Sequence, residues 1–111
     1  MNIQIFGSSK SFDSKKAERW FKERNIKYQY IDLKSKGLSP REYQAVRRCI
    51  PFEEMVDATS KAYESLYMAY ITPAAQEEKL LEHPELFRAP IVRNGKQATV
   101  GYHPEIWETW E

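Results

Sequence analysis

The sequence predicts an α/β fold: a four-stranded mixed sheet with helices on both faces. Three observations carry this. A strand–helix–strand pattern fills the first 33 residues, a helical middle follows, and a β-hairpin signature with a closing helix ends the chain. With 111 residues, 41% apolar and 14% aromatic, the chain can bury an ordinary core and is too apolar for disorder. One domain over residues 1–111 is expected, with sheet-bearing segments 1–33 and 88–111 around a helical insertion at 34–87.

In Asn2–Phe6, Ile3 and Ile5 alternate with polar residues, and Gly7-Ser8-Ser9 breaks the strand. From Asp13 to Arg24 the spacing of Ala17, Trp20 and Phe21 gives a helix with one apolar stripe. Its other face carries Lys15, Lys16, Arg19, Lys22 and Glu23; Asp13 is the expected N-cap and Asn25 the end. Lys27–Leu33 is rich in β-forming residues and reads as a second strand, parallel to the first across a right-handed connection. Ser39-Pro40-Arg41-Glu42 carries the spacing of a capping box, and Tyr43, Val46 and Ile50 form the stripe of a helix that Pro51 ends.

Thr59–Ile71 predicts a further helix bearing Ala62, Tyr63, Leu66, Tyr67 and Tyr70. Thr72-Pro73 opens another, which carries Leu80 and Leu81 and stops before His83-Pro84. Ile91–Arg93 and Lys96–Val100 flank Asn94-Gly95, the signature of a two-residue type I′ hairpin. His103-Pro104 starts the last helix, with Ile106, Trp107 and Trp110 on its apolar side. A parallel pair joined to an antiparallel pair, with an insertion between them, describes a thioredoxin-like sheet.

Composition excludes several functions. Net charge is +1, too small to advertise a nucleic-acid or membrane partner, and no run of about 18 apolar residues could span a bilayer. The first ten residues lack the pattern of a secretory signal and the single Cys49 forms no internal bridge, so a cytoplasmic protein is expected. The charge is unevenly placed: residues 1–50 hold 12 Lys/Arg against 5 Asp/Glu, and residues 51–111 hold 5 against 11. Either the two regions attract each other within the fold, or a basic face docks an acidic partner. No His/Cys cluster suggests a metal, and Gly7 stands alone, so no phosphate-binding glycine loop precedes a helix.

In such a fold the reactive position is the loop between the first strand and first helix, where unpaired amides stabilise a thiolate or an oxyanion. That loop reads Gly7-Ser8-Ser9-Lys10-Ser11-Phe12-Asp13-Ser14 and contains no cysteine. Ser11 and Ser14 have the spacing of a C-x-x-C pair with hydroxyls in place of both sulfurs. A helix terminus alone does not make serine a nucleophile. Ser11 with His103 would form a nucleophile–base pair only if something oriented the imidazole. Lys10, Lys15 and Lys16 are either solvated or attract an anion, and Cys49 reads as a packed thiol beside Ile50.

Ile3–Gly7, Phe12–Asp13, Lys15–Glu18, Phe21–Glu23 and Ile26–Ser39, with Pro90–Tyr102, resemble the glutaredoxin-linked arsenate reductases and their Spx-like relatives. The resemblance covers almost the whole chain and implies the same thioredoxin-type fold. It puts the family's nucleophilic cysteine on Ser11 and the second cysteine of the Spx-type pair on Ser14. The three oxyanion-binding arginines fall on Ala89 (with Arg88 one residue away, directed to the other face), near His103 and near Asp57. Pro90 matches the family's cis-proline beside the reactive loop.

The resemblance therefore implies a protein that has lost arsenate reductase chemistry and works by binding. Lys10, Phe12, Ser14, Arg88, Ala89 and Pro90 are the expected ligand-binding residues around Ser11. No cofactor is expected of the chain itself. Glutathione beside Pro90, glutaredoxin, or the RNA polymerase α-subunit (the partner of the Spx branch) are the ligand and partners the resemblance brings. The alternative is a glutathione- or glutaredoxin-linked thiol oxidoreductase, working through Cys49 or another sulfur, or in a parent sequence with Cys at position 11.

Overall fold

The computed structural model describes residues 1–110; Glu111, the last residue of the expected sheet-bearing segment, lies outside them. The fold is thioredoxin-like. Strands β1 (Ile3–Gly7), β2 (Tyr28–Asp32), β3 (Ile91–Asn94) and β4 (Gln97–Val100) form one sheet in the order β2-β1-β3-β4. β1 pairs parallel with β2 and antiparallel with β3, and β3 pairs antiparallel with β4. Helix α1 (Phe12–Glu23) joins β1 to β2. Between β2 and β3 come α2 (Leu33–Lys36), α3 (Pro40–Arg47), α4 (Phe52–Met55), α5 (Lys61–Ser65) and α6 (Pro73–Glu82), with single 3-10 turns at Met68–Tyr70 and Pro84–Leu86. The last helix, α7, spans Pro104–Trp107.

Alternation along β1 sends its side chains into two cores. Ile3 and Ile5 pack with Ala17, Trp20 and Phe21 of α1, with Val92, and with Trp107 and Trp110. Phe6 points the other way, into the core of Leu33, Leu38, Tyr43, Val46, Met55, Met68, Leu80 and Leu86 built by the intervening helices. Trp107 centres the first core: it meets Trp20, Phe21 and Tyr102 at ring distances of 5.5, 5.1 and 5.5 Å, and its indole N–H donates to Thr99 Oγ1 at 2.9 Å.

Several expectations change. The N-cap of α1 is Ser11, not Asp13: the Ser11 hydroxyl accepts from Ser14 N–H at 3.1 Å, and Asp13 lies in the first turn. Asn25 closes that helix in the left-handed conformation (φ 58°), which asparagine tolerates. The capping box at Ser39 and Glu42 forms, but α3 ends at Arg47, four residues before Pro51. The predicted helix over 59–71 is broken: α5 ends at Ser65, and Tyr67 takes φ 55° before the 3-10 turn. That break buries Met68 and leaves Tyr67 and Tyr70 exposed, the latter 85%.

The hairpin is also not type I′. Asn94 belongs to β3 and pairs with Gln97, and the two-residue turn is Gly95-Lys96 with positive φ only at Gly95, the pattern of type II′. The last helix is a single turn, so Trp110 lies beyond its end; Trp107 and Trp110 are buried, whereas Ile106 is 39% exposed. Cys49, expected to be packed, is exposed, with its thiol donating to Lys96 O at 3.0 Å.

Of the attraction expected between the basic and acidic halves, one ion pair between Lys/Arg and a carboxylate is present among the described residues. Glu77 of α6 accepts from Arg47 Nε (3.0 Å) and from the Tyr43 hydroxyl (2.8 Å), tying α6 to α3. The Tyr43 hydroxyl bond, then the Arg47 guanidinium, holds the Glu77 carboxyl below its ordinary range, while burial and Glu77 push the Tyr43 phenol up.

Two predictions follow from this packing. Trp107→Ala should cost about 3–5 kcal/mol in denaturant unfolding, and Trp107→Phe clearly less. Glu77→Gln should cost about 1 kcal/mol at neutral pH, the pair being partly exposed. A carboxyl whose folded pKa is depressed stabilises fully above its ordinary value and loses that contribution as pH falls through the folded value. Thermal melts of wild type and E77Q should therefore converge on acidification.

Candidate functional site

The loop from β1 to α1 is held by its own hydroxyls. Ser14 is buried, and its Oγ accepts from Ser8 N–H at 3.1 Å, while its own N–H donates to Ser11 Oγ. Ser8 Oγ accepts from Lys10 N–H at 3.3 Å, and Ser11 N–H donates to Ser8 O at 3.0 Å. Gly7 is required by close approach: a Cβ there would stand 2.8 Å from the Tyr30 ring and 3.1 Å from Ser14 Cβ. The turn thus directs the Ser11 hydroxyl across the sheet, where it donates to Ala89 O at 3.4 Å. The Ala89–Pro90 bond is cis, and Pro90 immediately precedes β3.

A second set of bonds fixes the segment facing this loop. Val56 and Phe87 form an antiparallel bridge, flanked by Asp57 N–H to Leu86 O (2.7 Å) and Arg88 N–H to Met55 O (2.8 Å). Lys34 Nζ donates to Glu85 O at 3.0 Å and Phe87 O at 3.1 Å, so α2 anchors the chain just before the proline. The result is an open cleft of about 440 Å3 lined by Ser8, Lys10, Ser11, Lys34, Asp57, Phe87, Arg88 and Ala89.

Lys10, Ser11, Arg88 and Ala89, four of the residues singled out from sequence, meet in this cleft. Arg88, expected on the other face of an extended chain, lines it: the Val56–Phe87 bridge pairs Arg88 with Met55 and so places it diagonally from Asp57, which lines the same cleft. Phe12, Ser14 and Pro90 are not lining residues: Phe12 is 82% exposed at the start of α1, and Ser14 and Pro90 are buried. Sequence reasoning missed Ser8, Lys34 and Phe87; Lys34 meets Phe87 across 53 residues of sequence, which no local pattern reveals. The Ser11–His103 pair does not form: the imidazole bonds Val100 O at 2.8 Å and Glu105 at 3.0 Å, and the Ser11 hydroxyl is taken by Ala89 O and Ser14 N–H.

The electrostatics of the cleft are mixed. The Thr59 hydroxyl (2.6 Å) and amide (3.0 Å), with smaller contributions from Lys34 and Arg88, hold the Asp57 carboxyl below its usual range against the opposing effect of burial. The cleft therefore carries its own anion beside its three cations. Among the described residues, no group of three His, Cys, Asp or Glu side chains could hold a metal ion, and no helix is long and apolar enough to cross a membrane.

A parallel β-α-β unit, a hairpin and a cis-proline facing the first helix N-terminus together define a thioredoxin-like protein. Within that class residues 6–110 match the ArsC family, and the chain belongs to it. It is 30% identical over 109 residues to the global transcriptional regulator Spx 2 of Oceanobacillus iheyensis, covering 95% of this chain and 80% of that protein. In structure it is similar to an ArsC family related protein of Bacteroides fragilis (TM-score 0.84, 22% identity, 97% and 96% of the two chains). An arsenate reductase from Vibrio cholerae is similar too (TM-score 0.83, 22% identity, 96% and 94%). This member carries serines in the β1–α1 loop and its one cysteine elsewhere.

Capping is the testable role of Ser11. Ser11→Ala should cost about 1 kcal/mol by loss of the helix cap, whereas Ser11→Asp, another good capping residue, should retain most of the stability in urea unfolding. Equal losses in both variants would show that the Ala89 contact, not the cap, is what the hydroxyl supplies.

Proposed function

We propose that this ArsC/Spx-like protein acts by binding a protein partner and has no arsenate reductase activity, with Ser11 in the place of the family's nucleophilic cysteine. The observation that carries this is the absence of sulfur from a loop otherwise built to present it. Of the loop serines, Ser11 is the one at the helix N-cap facing the cis-proline strand. Its oxygen accepts from Ser14 N–H, and a serine hydroxyl ionises far less readily than a thiol.

Cys49 cannot stand in. It bonds Lys96 in the turn between β3 and β4, whereas Ser11 lies beyond Gly7, at the opposite end of β1. The register pairs Ile3 with Asn94 and Phe6 with Ile91, so about 10 Å or more of strand separates the two groups. A thiol there serves neither the Ser11 loop nor a glutathione held beside Pro90.

The expected setting is the cytoplasm, and the partner class is the transcription machinery, the RNA polymerase α-subunit in particular. The Spx 2 relative is itself named a global transcriptional regulator, and its match spans nearly the whole chain. The cleft around Lys10, Ser11, Arg88 and Ala89 is the proposed ligand-facing end, with the exposed Phe12 beside it.

The chain should give no arsenate-dependent NADPH oxidation when glutathione and glutaredoxin are supplied; turnover equal to that of a cysteine-bearing relative would overturn the proposal. Ser11→Cys should create a thiol with a pKa below about 7.5, lowered by the helix terminus from the free value of about 8.5, as read by thiolate absorbance against pH.

A further inference from the structure

Away from the Ser11 cleft, the outward side of α1 forms a second groove, of about 350 Å3, lined by Lys16, Arg19, Trp20, Glu23, Arg24 and Tyr102. Its floor is aromatic and rigid. Trp20 and Tyr102 both pack edge-on against the buried Trp107. Its walls are cationic, and two of the cations rest on those rings: Lys16 Nζ is 5.5 Å from the Tyr102 centroid and Arg24 Cζ is 4.1 Å from that of Trp20. Arg24 is further oriented by donating to Trp20 O at 3.1 Å.

None of the ion pairs among the described residues engages Lys16, Arg19 or Arg24. Cations held over ring faces keep their charge and leave N–H donors turned outward, at little further cost in side-chain order when a carboxylate arrives. The helix and its C-cap carry Lys15, Lys16, Arg19, Lys22 and Arg24 against Asp13, Glu18 and Glu23, and the groove lining itself holds three cations against the single carboxylate of Glu23.

We propose that this groove is a docking surface for an acidic protein segment, one that sets carboxylates against Lys16 and Arg19 and an apolar side chain over Tyr102. The inference rests on the reading that the chain works by binding, and it adds the surface and the chemistry of the partner. A protein fits better than a nucleic acid. Glu23 lines the groove beside the cations, so an unbroken phosphate backbone meets like charge there, whereas a peptide can set a cation or an uncharged residue at that point.

The test is an NMR titration of the 15N-labelled full chain with a synthetic Glu- and Leu-rich peptide, its Gln-for-Glu counterpart, and a single-stranded oligonucleotide. Saturable shifts from the acidic peptide should centre on residues 16–24 and 102. Lys16→Glu with Arg19→Glu should weaken binding by at least about tenfold, and Lys16→Gln with Arg19→Gln by less. Lys61→Glu with Lys79→Glu, the same change of net charge at remote positions, should leave binding within about twofold.

Shifts centred elsewhere, no shifts at millimolar peptide, equal binding of the Gln peptide, or tighter binding of the oligonucleotide would each overturn the assignment. Those outcomes leave the reductase assay untouched: failure here with no turnover removes the groove alone, whereas turnover removes the binding role itself.

Discussion

Burial of both faces of one five-residue strand is the constraint on which the rest of this protein depends. β1 lies inside the sheet, between β2 and β3, and sends Ile3 and Ile5 to one core and Phe6 to the other, each almost fully buried. A slip of one residue in its register would exchange those side chains with Gln4 and drive an amide into an apolar layer. The strand therefore has one permitted position. Everything at its C-terminal end, including the turn through Ser8 and the start of α1, inherits that position.

The loop alone does not make a cleft; the insertion closes it. The Val56–Phe87 bridge and the two bonds from Lys34 Nζ hold the chain entering Pro90, so that Ala89 faces Ser11 and Arg88 and Asp57 line the same cleft. These contacts join residues some 30 to 80 positions apart, so the cleft exists only when both cores are formed. Its preorganisation is thus a property of the whole fold. The groove on α1 depends on one core only, through the packing of Trp20 and Tyr102 on Trp107.

Much of this architecture was legible because local chemistry and burial agree. Ile3 and Ile5 alternate, Ser39 and Glu42 cap each other, and Thr72-Pro73 opens a helix as its spacing requires. The misreadings have physical causes. The tyrosine row at 63–70 has helical spacing, but burying Met68 required a left-handed residue at Tyr67 and a 3-10 turn, and the pattern carries no trace of that cost. Asn94-Gly95 reads as a turn by propensity, yet Asn94 lies in the ladder opposite Gln97, so the turn moved one residue. Asp13 and Ser11 are both competent caps, and the hydroxyl that can also reach Ala89 prevailed. Arg88 and Asp57 are brought together by a bridge of two isolated residues, which has no periodicity to detect.

The persistence of so complete a loop without sulfur has a simple physical basis. The structure uses the residue at position 11 in two ways: as an acceptor for the Ser14 amide and as a donor toward Ala89. A hydroxyl meets both better than a thiol, since oxygen accepts and donates stronger hydrogen bonds and serine is among the preferred helix caps. Redox chemistry asks for something different, a low-energy anion and an easily broken bond between like atoms, which only sulfur supplies. Oxygen in place of sulfur therefore lacks that chemistry while still serving the cap and the bond to Ala89. The loop keeps a structural use without sulfur, since its hydroxyls cap α1 and tie it to the strand at Ala89.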